Sequence, residues 1–153
     1  WQQFLTRDKV RVLNYIAVLY TKKREFDKAA IIWEGVFRWL EKSSVGLTER
    51  YNESLIVMLN LAITYSKIKN IEKCVQMSEK CIRFCLSCGR GATIPILIAN
   101  QVEVLIVNPY NTEECKLQLR QAYYISKLFK NKISESINEH YAGHFGESIE
   151  SRY

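Results

Sequence analysis

Proline and glycine are scarce, with two and six residues respectively in a chain of 153. Little therefore interrupts a helix, and apolar residues recur at three- and four-residue steps almost throughout, the period of a helix face. Long apolar runs are also missing. A membrane helix needs about 18 consecutive apolar residues, and the best candidate, residues 92–107, is broken by Pro95, Asn100, Gln101 and Glu103. No charged leader precedes an apolar core with a small-residue cleavage site, and the chain begins at Trp1 rather than Met, so it reads as a piece of a longer protein. Zinc-finger and RNA-recognition signatures, a glycine-rich phosphate loop, a Ser-His-Asp set and paired carboxylates in a catalytic context are all lacking. The sequence thus points away from an enzyme and calls for no cofactor.

The remaining composition is that of an ordinary folded chain, 48% hydrophobic and 25% charged, which argues against disorder. At this length it fits one domain or a few stacked repeats. The net charge of +6 is spread along the chain, densest at Lys22-Lys23-Arg24. Basic residues scattered in this way read as solvated helix faces rather than a nucleic-acid surface. Five cysteines are an odd number, and four of them crowd between Cys74 and Cys88. That pattern disfavours a secreted disulfide framework and fits a reducing cytoplasm.

One phrase occurs twice. Ala17-Val18-Leu19-Tyr20 is followed by Phe26-Asp27-Lys28-Ala29, and Ala62-Ile63-Thr64-Tyr65 is followed by Ile71-Glu72-Lys73-Cys74, 45 residues further on. Small residues at those places let two helices approach closely, while the Tyr and the large apolar residue fill the space beside them. This is the pattern of a helical-hairpin repeat, which favours binding over catalysis.

The periodicity predicts a first helix over 3–22, with Phe4, Val12, Leu13, Ile16, Leu19 and Tyr20 on its apolar face. A second follows over 27–43, with Ala29, Ile32, Trp33, Val36, Phe37 and Leu40 as its stripe. Leu47-Thr48, just after Gly46, marks the start of a third over 48–68. Lys69-Asn70 then turns the chain into a fourth over 71–88, which Gly89 and Gly91 end. Pro95 suits the first turn of a fifth helix over 93–107. Thr112 caps a sixth reaching residue 129, with Glu113 and Glu114 at its positive end, and a seventh runs over 132–141. The organisation predicted is a helical repeat domain over 1–141, with hairpins over 3–43, 48–88 and 93–130 and a closing helix over 132–141. Residues 142–153 are expected to form a flexible tail.

In the second copy Leu61-Ala62, Tyr65, Asn70, Cys74 and Cys81 occupy the Leu-Gly, Tyr, turn-Asp and small-residue places of the tetratricopeptide repeat. Ile16-Ala17, Tyr20, Glu25-Phe26, Ala29 and Val36 fill the same frame in the first. A third, weaker copy has Cys115 and Ala122 as its small residues, but Glu103 and Ile106 stand where a small residue and Tyr are usual. The resemblance implies an all-α, right-handed superhelix of three tetratricopeptide-like hairpins plus a closing C-terminal helix. These elongated repeats, with the run Leu119-Arg120-Gln121-Ala122-Tyr123-Tyr124-Ile125-Ser126-Lys127-Leu128-Phe129-Lys130-Asn131, resemble the carboxy-terminal part of Firmicutes regulators of the Rgg/PlcR type. In that family an amino-terminal helix-turn-helix domain binds DNA and a tetratricopeptide-like domain senses a small peptide. What the resemblance implies here is the quorum-sensing, ligand-binding and oligomerisation part of a bacterial transcriptional regulator. DNA would be reached only through a helix-turn-helix domain absent from this chain. The Trp and Tyr content adds the expectation of a homodimer. Rival readings are a general protein–protein interaction scaffold and the tetratricopeptide part of a response-regulator phosphatase.

Within the repeat frame the concave, groove-facing places are filled by Arg11, Asn14, Tyr15 and Val18, then Asn60, Ile63 and Lys67, then Asn100, Gln101 and Val104. An Asn amide both donates and accepts, so it can satisfy the backbone of an extended peptide. The resemblance matches Asn14, Asn60 and Asn100 to inner-face asparagines that grip peptide backbone. The alternative is that each bonds across to the next helix or caps a turn. Arg11 and Lys67 are either a seat for a peptide carboxylate or solvated charges.

Two sharper motifs read as structural. Cys81, Cys85 and Cys88 have the C-x3-C-x2-C spacing of a radical-SAM cluster site, but they lie inside a predicted helix. At about 100° per residue they share one stripe with Cys74, as in a buried seam. His140 and His144 are four apart, but Gly143 weakens that helix and no third ligand is evident. No metal site is expected. Trp33, Phe37 and Trp39 read as core, and of Tyr123-Tyr124 one ring packs inward while the other faces out.

Overall fold

The computed structural model describes residues 7–43, 46–105 and 112–143. Within them the protein is all-α, with no strand. The helices are α1 (Arg7–Lys22), α2 (Phe26–Lys42), α3 (Gly46–Glu49), α4 (Tyr51–Lys67), α5 (Ile71–Ser87), α6 (Ile94–Leu105), α7 (Thr112–Leu128) and α8 (Lys132–Gly143), with a 3-10 turn over Gly91–Thr93 before α6. No helix among these residues is long and apolar enough to cross a membrane. The chain forms two compact units, residues 1–77 and 78–153, the boundary falling within α5.

Four of the connections close in the same way. After α1, Arg24 N–H bonds the Thr21 carbonyl and Glu25 N–H bonds that of Tyr20. Lys69 and Asn70 repeat the pattern on Ser66 and Tyr65, Gly89 and Arg90 on Leu86 and Cys85, and Lys130 and Asn131 on Lys127 and Ser126. Each is a Schellman turn, which needs a left-handed residue, and Arg24, Lys69, Gly89 and Lys130 have φ of 61°, 57°, 67° and 53°. Only one of the four is glycine, and at the others a cation sits beside the negative end of the helix dipole. Replacing Lys69 by Gly is therefore expected to stabilise the protein by about 0.5–1 kcal/mol. The relief of left-handed strain is partly offset by glycine's larger entropy in the unfolded chain. No atom lies within 4 Å of where a Cβ on Gly89 would stand, so Gly89→Ala adds backbone strain only and should cost about 1 kcal/mol. Urea titration of both variants checks the opposite signs.

In the first unit the small residues of the repeated phrase, Ala17, Ala29, Ala62 and Cys74, are completely buried. Around them Val10, Trp33, Val36, Leu40, Val57, Met58 and Leu61 fill the core, each 2% exposed or less. The second unit is built likewise on Cys81, Cys85, Leu97, Val102, Cys115, Leu119, Ala122 and Tyr123. There α7 packs against both α6 and α8, and α6 also touches α8. Tyr123 points into this core and Tyr124 outward, the two rings meeting edge to face. Gly91 is needed for a close approach, since a Cβ there would stand 2.7 Å from the Phe129 ring.

The structure departs from the sequence expectation at three places. The helix predicted over 48–68 is interrupted at Arg50, whose φ and ψ are −107° and 43°. The Ser54 hydroxyl takes the Leu47 carbonyl at 3.1 Å, and the Arg50 guanidinium lies 4.7 Å from the centre of the Trp39 ring. α3 accordingly begins at Gly46, not at Thr48. Of the apolar face assigned to the first helix, Leu13 and Tyr20 are half-buried and Val12, Ile16 and Leu19 exposed, while the buried residues of α1 are Val10 and Ala17, because α1 is apolar on two sides. In α6 the buried small residue is Ala99 rather than the residue at 103. Glu103 instead takes the Tyr141 hydroxyl of α8, and burial, together with the charge and hydrogen bond of Glu103, pushes that phenol up. α8 runs to Gly143, while Phe4, His144 and residues 144–153 lie outside the described residues.

Candidate functional site

Two spacings bring polar groups of α1 and α4 together in the first unit. Arg11 and Asn14, three apart, leave α1 on one side, beside Val10. Asn52, Glu53, Ile56 and Val57 face them from the first two turns of α4. Together they line a cleft of about 170 Å³. One wall carries the exposed Arg11 cation and the other the half-buried Glu53 carboxylate, with amides on both and the apolar Val10, Ile56 and Val57 completing the lining.

Asn14 is fixed from behind. Its Oδ1 accepts the Trp33 indole N–H at 2.9 Å and the Asn60 amide at 3.4 Å. Trp33 is 2% exposed, and a buried indole N–H left unpaired would cost about 1–3 kcal/mol. Asn14 therefore links three helices and still presents its amide at the cleft. The groove expectation placed Asn14 and Asn60 on successive inner helices, and the structure joins them directly.

The other groove residues are distributed as follows. Tyr15 is 70% exposed and Lys67 is exposed, while Val18 and Ile63 are half-buried. In the second unit Asn100 is half-buried with its amide nitrogen enclosed and without a hydrogen-bond partner, and Gln101 is buried. The Val104 side chain lies outside the described residues. Asn52, Glu53, Ile56 and Val57 were not foreseen, because the sequence frame starts its inner face later on α4. The signal was the spacing of Asn52, Ile56 and Asn60, which puts them on one side of that helix.

A second polar cluster ties the first unit together. Glu34 of α2 accepts the Tyr65 hydroxyl at 2.6 Å and the Lys73 ammonium at 2.9 Å. Burial pushes the Glu34 carboxyl up, but the hydrogen bonds from Tyr65 and Lys73, with the charges of Lys73 and Arg38, outweigh it and hold the group below the ordinary carboxylate range. Burial, then the bond to Glu34 and its charge, push the Tyr65 phenol up, so it stays a donor. Lys73 also lies 5.3 Å from the centre of the Tyr65 ring, and Lys28 lies 5.5 Å from that of Tyr20. The Lys eight residues after the repeated Tyr thus belongs to the repeat, as the shared Lys28 and Lys73 could have signalled.

A carboxylate held low in the folded state contributes stability above its unfolded pKa and loses that contribution as pH falls through the folded value. Acidification from pH 6 to pH 3 should therefore weaken the wild type more than Glu34→Gln, whose amide does not titrate. Urea midpoints across that range check the difference, and parallel pH profiles would contradict it.

The cysteines offer no reactive thiolate at Cys81 or Cys115. Burial, then the charge and hydrogen bond of Cys85, push the Cys81 thiol up, and burial with the charge of Glu114 raises that of Cys115. A thiol reacts and binds metal as the thiolate. Among the described residues no group of three or more His, Cys, Asp or Glu is placed to hold a metal ion.

No protein family, curated protein or solved structure matches this chain.

Proposed function

We propose that this chain is the ligand-sensing, protein-interaction and oligomerisation part of a bacterial transcriptional regulator, and that it binds a short peptide in its groove. The observation that carries the reading is the cleft between α1 and α4. Arg11 and Glu53 supply opposite charges across it, and Asn14 and Asn52 supply amides, a set suited to an extended backbone with charged ends. On this reading the hairpins stack as a right-handed, tetratricopeptide-like superhelix with a closing helix. The peptide acts by population shift, favouring one pitch of the superhelix and hence one arrangement of attached DNA-binding domains. Regulation of transcription and peptide-based quorum sensing follow from the resemblance to Rgg/PlcR-type regulators.

Titration calorimetry of the protein with short peptides tests this. Binding is expected, Arg11→Ala is expected to weaken it about tenfold, the loss of one good polar contact, and Asn60→Ala to weaken it less, since Asn60 holds Asn14 and does not line the cleft. Asn100→Ala tests whether the second unit takes part. Absence of binding, or equal affinity in all three variants, would leave the chain as a scaffold without a small effector.

A further inference from the structure

We propose that the ligand of the α1–α4 cleft is a zwitterion with an apolar body, an unblocked amino acid or dipeptide, held with its carboxylate against α1 and its ammonium against α4. This assignment rests on the cleft being the ligand site, and it takes the short peptide to its lower limit of length.

Trp33 determines which atom of Asn14 meets a ligand. An indole nitrogen only donates, so the Trp33 N–H at 2.9 Å holds the Asn14 amide oxygen at the back, where the Asn60 amide also donates to it at 3.4 Å. A carbonyl oxygen accepts through two lone pairs, and both are taken. What Asn14 offers at the cleft is therefore Nδ2, a donor. Arg11, three residues before it, lines the same wall, and a guanidinium has donors and no acceptor. The α1 wall is thus a set of donors only. That is the chemistry of a carboxylate seat, with Arg11 able to make two parallel bonds to it.

The α4 wall has the opposite character. An ionised Glu53 accepts and cannot donate, which suits an ammonium, and the exposed Asn52 beside it offers either sense. Val10, Ile56 and Val57 supply apolar contacts for the body of the ligand. The volume sets the length. A cavity of about 150 Å³ holds benzene, and leucine, with the same number of carbons, matches the 170 Å³ or so of this cleft. A dipeptide fits with its second side chain in solvent. A longer chain cannot keep both charged ends inside, and would set uncharged backbone against either the donors of α1 or the carboxylate of α4.

Titration calorimetry of the whole chain with leucine, leucyl-leucine and the pentapeptide tetraalanyl-leucine is the test. Leucine or leucyl-leucine is expected to bind, the tighter of the two identifying the source, and the pentapeptide to bind at least about tenfold more weakly. Amidating the carboxylate or acetylating the ammonium of the tighter ligand should each weaken it about tenfold. Two variants read the direction. Arg11→Ala should weaken the unblocked ligand about tenfold and leave the amide unchanged, because the partner of the lost group is already gone. Glu53→Gln should weaken the unblocked ligand and leave the acetylated one unchanged. Circular dichroism verifies the fold of both variants, and the blocked ligands decide the matter on the wild type if either unfolds. Equal binding of blocked and unblocked ligands, or the reverse pairing of variant and ligand, would overturn the proposal. Tighter binding of the pentapeptide than of both shorter ligands would overturn it while leaving the peptide reading in place, and absence of all binding would remove both.

Discussion

Trp33→Ala is expected to lower the unfolding free energy by about 3–5 kcal/mol, the range for deleting a buried aromatic side chain. That is a large fraction of the 5–15 kcal/mol typical of a whole domain. The indole is 2% exposed among the side chains of the first unit, and its N–H is the donor that fixes Asn14. Trp33→Phe separates the two contributions. It keeps most of the apolar volume, removes the donor, and should cost about 1–2 kcal/mol. Asn14→Leu in the Trp33→Phe background should then cost less than in the wild type, because the two side chains share one bond. Urea denaturation of the four proteins gives the coupling directly, and additive effects would mean that the hydrogen bond contributes nothing to stability.

Overpacking the repeat positions is expected to be the second most damaging change. Ala62 and Cys74 are 0% exposed and stand at matching places in neighbouring helices with Ala17 and Ala29. Ala62→Leu adds three carbons where two helices touch, which should cost about 1–3 kcal/mol and lower the midpoint of thermal unfolding. Cys74→Ala removes one sulfur from a similar place and is expected to cost less, since Cys acts there as a compact hydrophobe. If Cys74→Ala proved the more harmful of the two, the small-residue explanation of these positions would fail.

These positions were legible in the sequence because a small residue at a helix crossing is required wherever the crossing occurs, so it repeats. Ala17, Ala62, Cys74, Cys81 and Cys115 were all identified in this way, and all are fully buried. The turn at Lys69-Asn70 was also legible, and Asn70 Oδ1 does accept the Lys73 N–H at 3.1 Å as a helix cap. Contacts made once were not legible. Glu34 meets Tyr65 from 31 residues away, and nothing in a periodic pattern marks a carboxylate that will find a phenol. The Trp33–Asn14 bond had a signal that went unused: an indole placed in a core stripe needs an acceptor. Periodicity also finds an apolar stripe without saying how many faces a helix has, so Val12, Ile16 and Leu19 were assigned to the core. The break at Arg50 depends on one hydroxyl reaching one carbonyl, at Ser54 and Leu47, a competition that side-chain patterns do not show.

The four Schellman turns also bear on how the chain folds. Their closing bonds join residues no more than five apart in sequence, for example Glu25 to Tyr20 and Asn131 to Ser126. Closing so short a loop forfeits little chain entropy. Each turn can therefore form before any distant contact exists, and the helices beside it meet as neighbours rather than by long search. Folds rich in such local contacts reach the native state in microseconds to milliseconds.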